Sequence, residues 1–99
     1  MAKFVQIIEY TTTKQSELDA LEAQWRKDTE GKRSSGRSLI CKDRDRPNTY
    51  LVIVEFPSYE AAMKNNELPA TGEFASKLEA LSDGPASFRN LDLERIEED

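Results

Sequence analysis

Residues 3–10, Lys-Phe-Val-Gln-Ile-Ile-Glu-Tyr, are rich in β-branched and aromatic side chains and predict a strand. Thr11–Lys14 is a polar linker. Leu18, Leu21 and Trp25 then recur at i, i+3 and i+7, which predicts an amphipathic helix over roughly 16–29. Ser16, three residues before Asp19, reads as an acidic variant of the capping box, and Gly31 as the stop. Arg37–Asp43 holds Leu39-Ile40-Cys41 and predicts a short strand, followed by a turn at 43–48 in which Asn48 suits a left-handed conformation. Thr49–Phe56 is the clearest strand of the chain, ended by Pro57-Ser58, with Ser58 as the next helix cap. Tyr59–Asn66 is helical in composition, Pro69 interrupts, and the helix resumes near Thr71 with Phe74, Leu78 and Leu81 on one face. Asp83-Gly84-Pro85 stops it, Phe88–Ile96 alternates as a last strand, and Glu97-Glu98-Asp99 is a frayed acidic end.

The order is β-α-β-β-α-β, the ferredoxin-like α+β arrangement: one four-stranded antiparallel sheet in spatial order 4-1-3-2, with both helices on one face. The two central strands pose a problem for a monomer. Phe4, Gln6, Ile8 and Tyr10 share one face with Tyr50, Val52, Val54 and Phe56; Val5, Ile7 and Glu9 share the other with Leu51, Ile53 and Glu55. Both faces are apolar, and the helices cover only one. An antiparallel sheet open to water alternates to polar on that side. The second face therefore calls for an apolar partner, and a second copy of the chain is the simplest. Val52 and Phe56 are taken as part of that homodimer contact, so that Val52→Asp is expected to dissociate or unfold the protein.

Composition narrows the chemistry. Ninety-nine residues, 37% of them hydrophobic, suit one domain spanning 1–99. There are 14 basic and 19 acidic residues, net −5, the wrong sign for a general nucleic-acid binder. The absence of His removes His-based triads and His-ligated metals, and no Gly-rich phosphate loop or nicotinamide fingerprint is present, so no cofactor is expected. The single Cys41 rules out an intrachain disulfide and reads as a buried, inert thiol. No apolar run approaches a membrane span, and Met-Ala-Lys-Phe-Val-Gln lacks a signal-peptide core, so a cytoplasmic location without membrane contact is expected. Residues 32–46 carry a local +4, leaving −9 elsewhere. They read as charged gatekeepers on an edge hairpin or as a patch for an anionic partner.

The second half carries a resemblance. The stretch Val52-Ile-Val-Glu-Phe-Pro-Ser-Tyr-Glu-Ala-Ala-Met-Lys-Asn65, with Phe74 and Asp83-Gly84-Pro85 before Phe88, resembles the antibiotic-biosynthesis monooxygenase (ABM) domain of the dimeric α+β barrel superfamily. In that family an aromatic closes the third strand, a Ser-x-x-Ala opens the helix, and a His or Asn follows the Ser by seven residues. Phe56, Ser58 and Asn65 match these positions. The resemblance implies a homodimer whose ligand cavity lies between the sheet's inner face and the helices. By that match Phe4, Gln6, Ile8, Tyr10, Tyr50, Val52, Val54 and Phe56 would face the cavity, a mostly apolar lining suited to a small aromatic or otherwise apolar ligand. The missing His leaves the haem-degrading branches without a matching residue.

Within that frame Asn65 is the candidate catalytic residue, its amide steadying developing negative charge on a ligand oxygen. It also fits a plain helix-surface Asn. Gln6, Tyr10, Trp25 and Tyr50 are the candidate ligand-binding residues. Trp25 reads first as helix core, and Gln6, Tyr10 and Tyr50 equally as interface groups. No base is assigned; Glu9 would serve only if it lined the pocket. The resemblance implies a cofactor-free monooxygenase acting on a phenolic substrate, and the competing reading is a non-catalytic homodimer that binds a metabolite or a protein partner.

Overall fold

The computed structural model of the protein describes residues 3–98, so Asp99 of the acidic end lies outside the described residues. The elements run β1 (Phe4–Thr11), α1 (Gln15–Asp28), β2 (Ser38–Lys42), β3 (Thr49–Phe56), α2 (Tyr59–Asn66), α3 (Pro69–Leu81) and β4 (Ser87–Asp92). They form one antiparallel four-stranded sheet in the order β2-β3-β1-β4, as the alternation of the central strands required. Gln6 lies between Val54 and Asn90 in the register, and Ile7 between Ile53 and Arg89. Among the described residues no helix is long and apolar enough to cross a membrane.

Local signals were mostly honoured, with instructive exceptions. Asn48 takes φ 59°, which lets the β2–β3 turn close. Ser58 caps α2 by accepting a bond from the Ala61 amide at 3.0 Å, a contact worth about 1 kcal/mol. Ser16 does not cap α1. The helix starts a residue earlier, behind Lys14, and Thr12 turns its hydroxyl to the Lys14 amide at 3.0 Å instead. Pro69 does not precede the third helix but opens it, in the first turn where its missing N–H costs nothing. The predicted last strand stops at Asp92 rather than Ile96, although the Leu93 amide still bonds the Lys3 carbonyl at 2.9 Å.

The helices pack on the sheet face carrying Phe4, Ile8, Tyr10, Val52 and Phe56, and they do so in two separate clusters. Phe4 and Phe56 meet Ala62 of α2; Tyr10 meets Leu18 of α1 and Leu78 of α3, with Phe74 alongside. Between these clusters the middle rows of the sheet are left uncovered by side-chain packing. The opening follows from the break at Glu67-Leu68, which turns the chain between α2 and α3.

The opposite sheet face carries Val5, Ile7, Glu9, Leu51, Ile53 and Glu55, flanked by Leu39, Cys41 and Leu91. Leu39 and Leu91 are 41% and 43% exposed. Val52 and Phe56 lie on the helix side, so they are not part of this face. Cys41 is exposed in the protomer rather than buried, because an edge strand has no helix over this side. Two basic residues of 32–46 serve this face: Arg37 pairs with Glu55 at 2.8 Å, and Arg46 bridges Asp43 at 2.8 Å and Glu9 at 3.1 Å, with Arg89 joining Glu9 at 3.5 Å. Each carboxylate among the apolar rows is thereby neutralised. Glu9, turned away from the helices and held by two arginines, is unable to act in a pocket beneath them.

Candidate functional site

Between the two core clusters lies a partly open cavity of about 470 Å³. Its floor is the sheet: Gln6, Ile8, Val52 and Val54, with Ile40 and Phe88 from the edges. Its walls are α1 and α3, and Asn65 and Asn66 close the end formed by α2. The volume is that of a small-molecule site, and the lining is mostly apolar.

Asn65 holds the most distinctive position. It sits in the last turn of α2 and is only 6% exposed. Its Oδ1 is enclosed and has no hydrogen-bond partner. A buried amide oxygen without a donor costs roughly 1–3 kcal/mol, so folding alone does not favour it. A half-turn of the amide would present Nδ2 instead. The position can thus accept a bond from a hydroxyl or donate one to an oxyanion.

Trp25 is half-buried and lines the cavity rather than filling the core. Its indole Nε1 donates to Thr71 Oγ1 at 2.9 Å, its ring lies 6.1 Å from that of Phe74, and Arg33 stacks over it at 5.4 Å. The ring plane is therefore fixed from three sides. Gln6 lies on the floor, where its Nε2 donates to Asn90 Oδ1 at 3.2 Å. Tyr50 is not among the lining residues. It stacks on Tyr10 at 5.7 Å, with Lys42 over its ring, and so supports Tyr10 from behind.

Tyr10 does line the cavity, and its hydroxyl donates to Gln15 Oε1 at 3.0 Å; Gln15 in turn donates from Nε2 to Asp19 Oδ1 at 2.9 Å. Burial pushes the Tyr10 phenol above its ordinary 10.0; the Gln15 bond opposes this, and the charges of Asp19 and Tyr50 add to it. Tyr10 thus keeps its proton at neutral pH and is not a base there. The folded chain holds this proton to higher pH than the unfolded chain does. Stability is therefore expected to be unaffected by this group at neutral pH and to fall as pH rises past 10.0. Urea unfolding from about pH 9 to pH 11 should show a steeper loss for the wild type than for Tyr10→Phe.

Of the charged residues of the lining, Asp19 reads in sequence only as the acid of a capping box, and Glu22 carries no site signal of its own. Their spacing of three residues puts them on one helix face, and Leu18 and Trp25 on either side carry that face to the cavity. Thr71 and Phe88 were likewise passed over as site residues, since neither contact exists until α3 and β4 are placed.

No family model matches the chain, and no curated protein matches it. Solved structures do. The cofactor-independent oxygenase SnoaB from Streptomyces nogalater, in an asparagine-to-alanine variant, superposes with a TM-score of 0.80 over 97% of both chains at 16% identity. An antibiotic biosynthesis monooxygenase superposes at 0.74, 12% identity, over 93% of this chain and 99% of its own. A conserved protein from Methanosarcina mazei superposes at 0.77 and 10% identity, over 92% and 93%. The fold is that of the antibiotic biosynthesis monooxygenase proteins, as the sequence resemblance implied.

Proposed function

We propose that the protein binds a small aromatic, hydroxyl-bearing metabolite in the cavity between sheet and helices and oxygenates it without a cofactor. The observation that carries this reading is the buried, unpartnered Asn65 amide at the end of an otherwise apolar cavity. With its Oδ1 turned to the cavity side, the amide would accept a bond from a ligand phenol. Once the phenol loses its proton to solvent through the open side, the turned amide donates from Nδ2 and steadies the anion. The apolar floor and the fixed Trp25 ring hold the aromatic plane and keep water from it. The anion gives two electrons to dioxygen, and a ring carbon becomes a hydroperoxide. Loss of that carbon's hydrogen as a proton sends the C–H electron pair into a new carbonyl and breaks the O–O bond, so that the ring ends as a quinone and the outer oxygen leaves as water. SnoaB, which shares the fold, is a cofactor-independent oxygenase.

The working unit in this reading is a homodimer joined through the open sheet faces, since Ile7, Ile53, Leu39 and Leu91 need a cover.

Native mass spectrometry of freshly purified protein tests the reading. An aromatic adduct is expected, and incubation under ¹⁸O₂ should add a single labelled atom to it. An adduct that never takes up label would favour the non-catalytic binder. A protein that carries no adduct and binds no hydroxylated aromatic would overturn both.

A further inference from the structure

We infer that the ligand carries a cationic group, a protonated amine by its simplest chemistry, at the α1 wall of the cavity opposite its hydroxyl. This inference deepens the reading of the cavity as an aromatic site and rests on it.

The charged side chains lining the cavity are Asp19 and Glu22, and neither Lys nor Arg is among the lining residues. Asp19 is occupied by one neutral donor, Gln15, at 2.9 Å. Glu22 meets Arg26, one turn further along α1, at 3.7 Å. Both carboxylates thus have capacity for a further cation. Trp25 continues the same wall, and its ring already holds a guanidinium, that of Arg33, at 5.4 Å. Aromatic rings of this kind attract cations through their faces. Asn65, in the same cavity, independently marks the site as one built for a ligand, because its enclosed oxygen has no partner in the protein.

The chemistry of the proposed reaction points the same way. Two carboxylates in the same cavity as a phenol, only one of them paired with a cation, oppose its ionisation, since like charge disfavours the anion. A protonated amine on the ligand neutralises them and leaves the phenolate less opposed. The protein's own net charge of −5 favours entry of a cationic ligand over an anionic one.

Three naphthols with the same rings and hydroxyl test the inference by isothermal titration calorimetry: 6-(aminomethyl)-2-naphthol, 6-methyl-2-naphthol and 6-hydroxy-2-naphthoate. The amine should bind about tenfold more tightly than the methyl compound, and the carboxylate most weakly. High salt should shrink the amine's advantage. In the double variant Asp19→Asn, Glu22→Gln the amine's advantage over the methyl compound should vanish. Equal or tighter binding of the methyl compound or the carboxylate to the wild type would overturn the inference, as would an amine preference that survives the double variant. The aromatic reading itself is judged separately, by whether Asn65→Leu weakens the methyl compound. If none of the three binds, both fall.

Discussion

Ile53→Asp should convert the protein from a dimer to a folded monomer at micromolar concentration in sedimentation velocity. Ile53 stands at the middle of the open face, between Ile7 of β1 and Leu39 of β2. Burial of each isoleucine at an interface contributes roughly 1.5–3 kcal/mol, and a symmetric contact counts it twice. An aspartate there would bring an unpaired charge among groups already neutralised. Glu9 is held by Arg46 and Arg89, and Glu55 by Arg37, so no free arginine of those pairs remains to meet it. The combined cost should weaken association by at least about a thousandfold. Ile53 is already half-exposed in the protomer, so the monomer should keep its fold. Val52→Asp makes the contrast, because Val52 faces the cavity. It should leave the dimer in place and abolish aromatic binding. A wild-type monomer, or an Ile53→Asp protein that sediments as a dimer, would sink the interface.

Asn65→Leu should stabilise the protein and disable the site at the same time. Leucine is close to asparagine in length and brings no buried acceptor lacking a donor. Removing the unpartnered Oδ1 should return roughly 1 kcal/mol, a rise in Tm of about 4–8 °C for a chain of this size. Affinity for a hydroxylated aromatic, or turnover of it, should fall by roughly 1–3 kcal/mol, since the hydroxyl or oxyanion loses its partner. Opposite signs in the two measurements are the signature of a residue kept for function at a cost in stability. Calorimetric scanning and ligand titration on the same preparation decide it. Lower stability with unchanged affinity would make Asn65 structural and remove the central residue of the proposed reaction.

Strand alternation made the sheet legible from sequence. Period-two patterns in Phe4–Thr11 and Thr49–Phe56 carry their own face assignments, and two apolar faces under one layer of helices imply a second partner without any coordinates. Helix spacing likewise located α1, because Leu18, Leu21 and Trp25 mark its buried side. Asn65 stood out by its distance from the Ser58 cap and by a family resemblance. What neither pattern contains is the relation between elements. Which of the two strand faces the helices cover is a choice of handedness and packing, and that choice took Val52 and Phe56 out of the expected dimer contact and left them on the cavity side. The Phe4–Phe56 cluster packs on α2 and the Tyr10–Leu78 cluster on α1 and α3, and how these helices divide the sheet face has no period in the sequence.

The same limit governs the site. The sequence by itself determined the order of elements, the sheet, the apolar excess that asks for a second copy, and the lack of a His for acid–base work. Tertiary structure decided that Trp25 is a wall bonded to Thr71, that Tyr50 backs Tyr10 instead of touching the cavity, that Glu9 belongs to the arginines of the open face, and that Asp19 and Glu22 line the pocket. Periodicity tells which side of an element avoids water. Contacts across elements dozens of residues apart, such as Trp25 with Thr71, depend on how the packed layers meet, and that is settled by the shapes of all their side chains together.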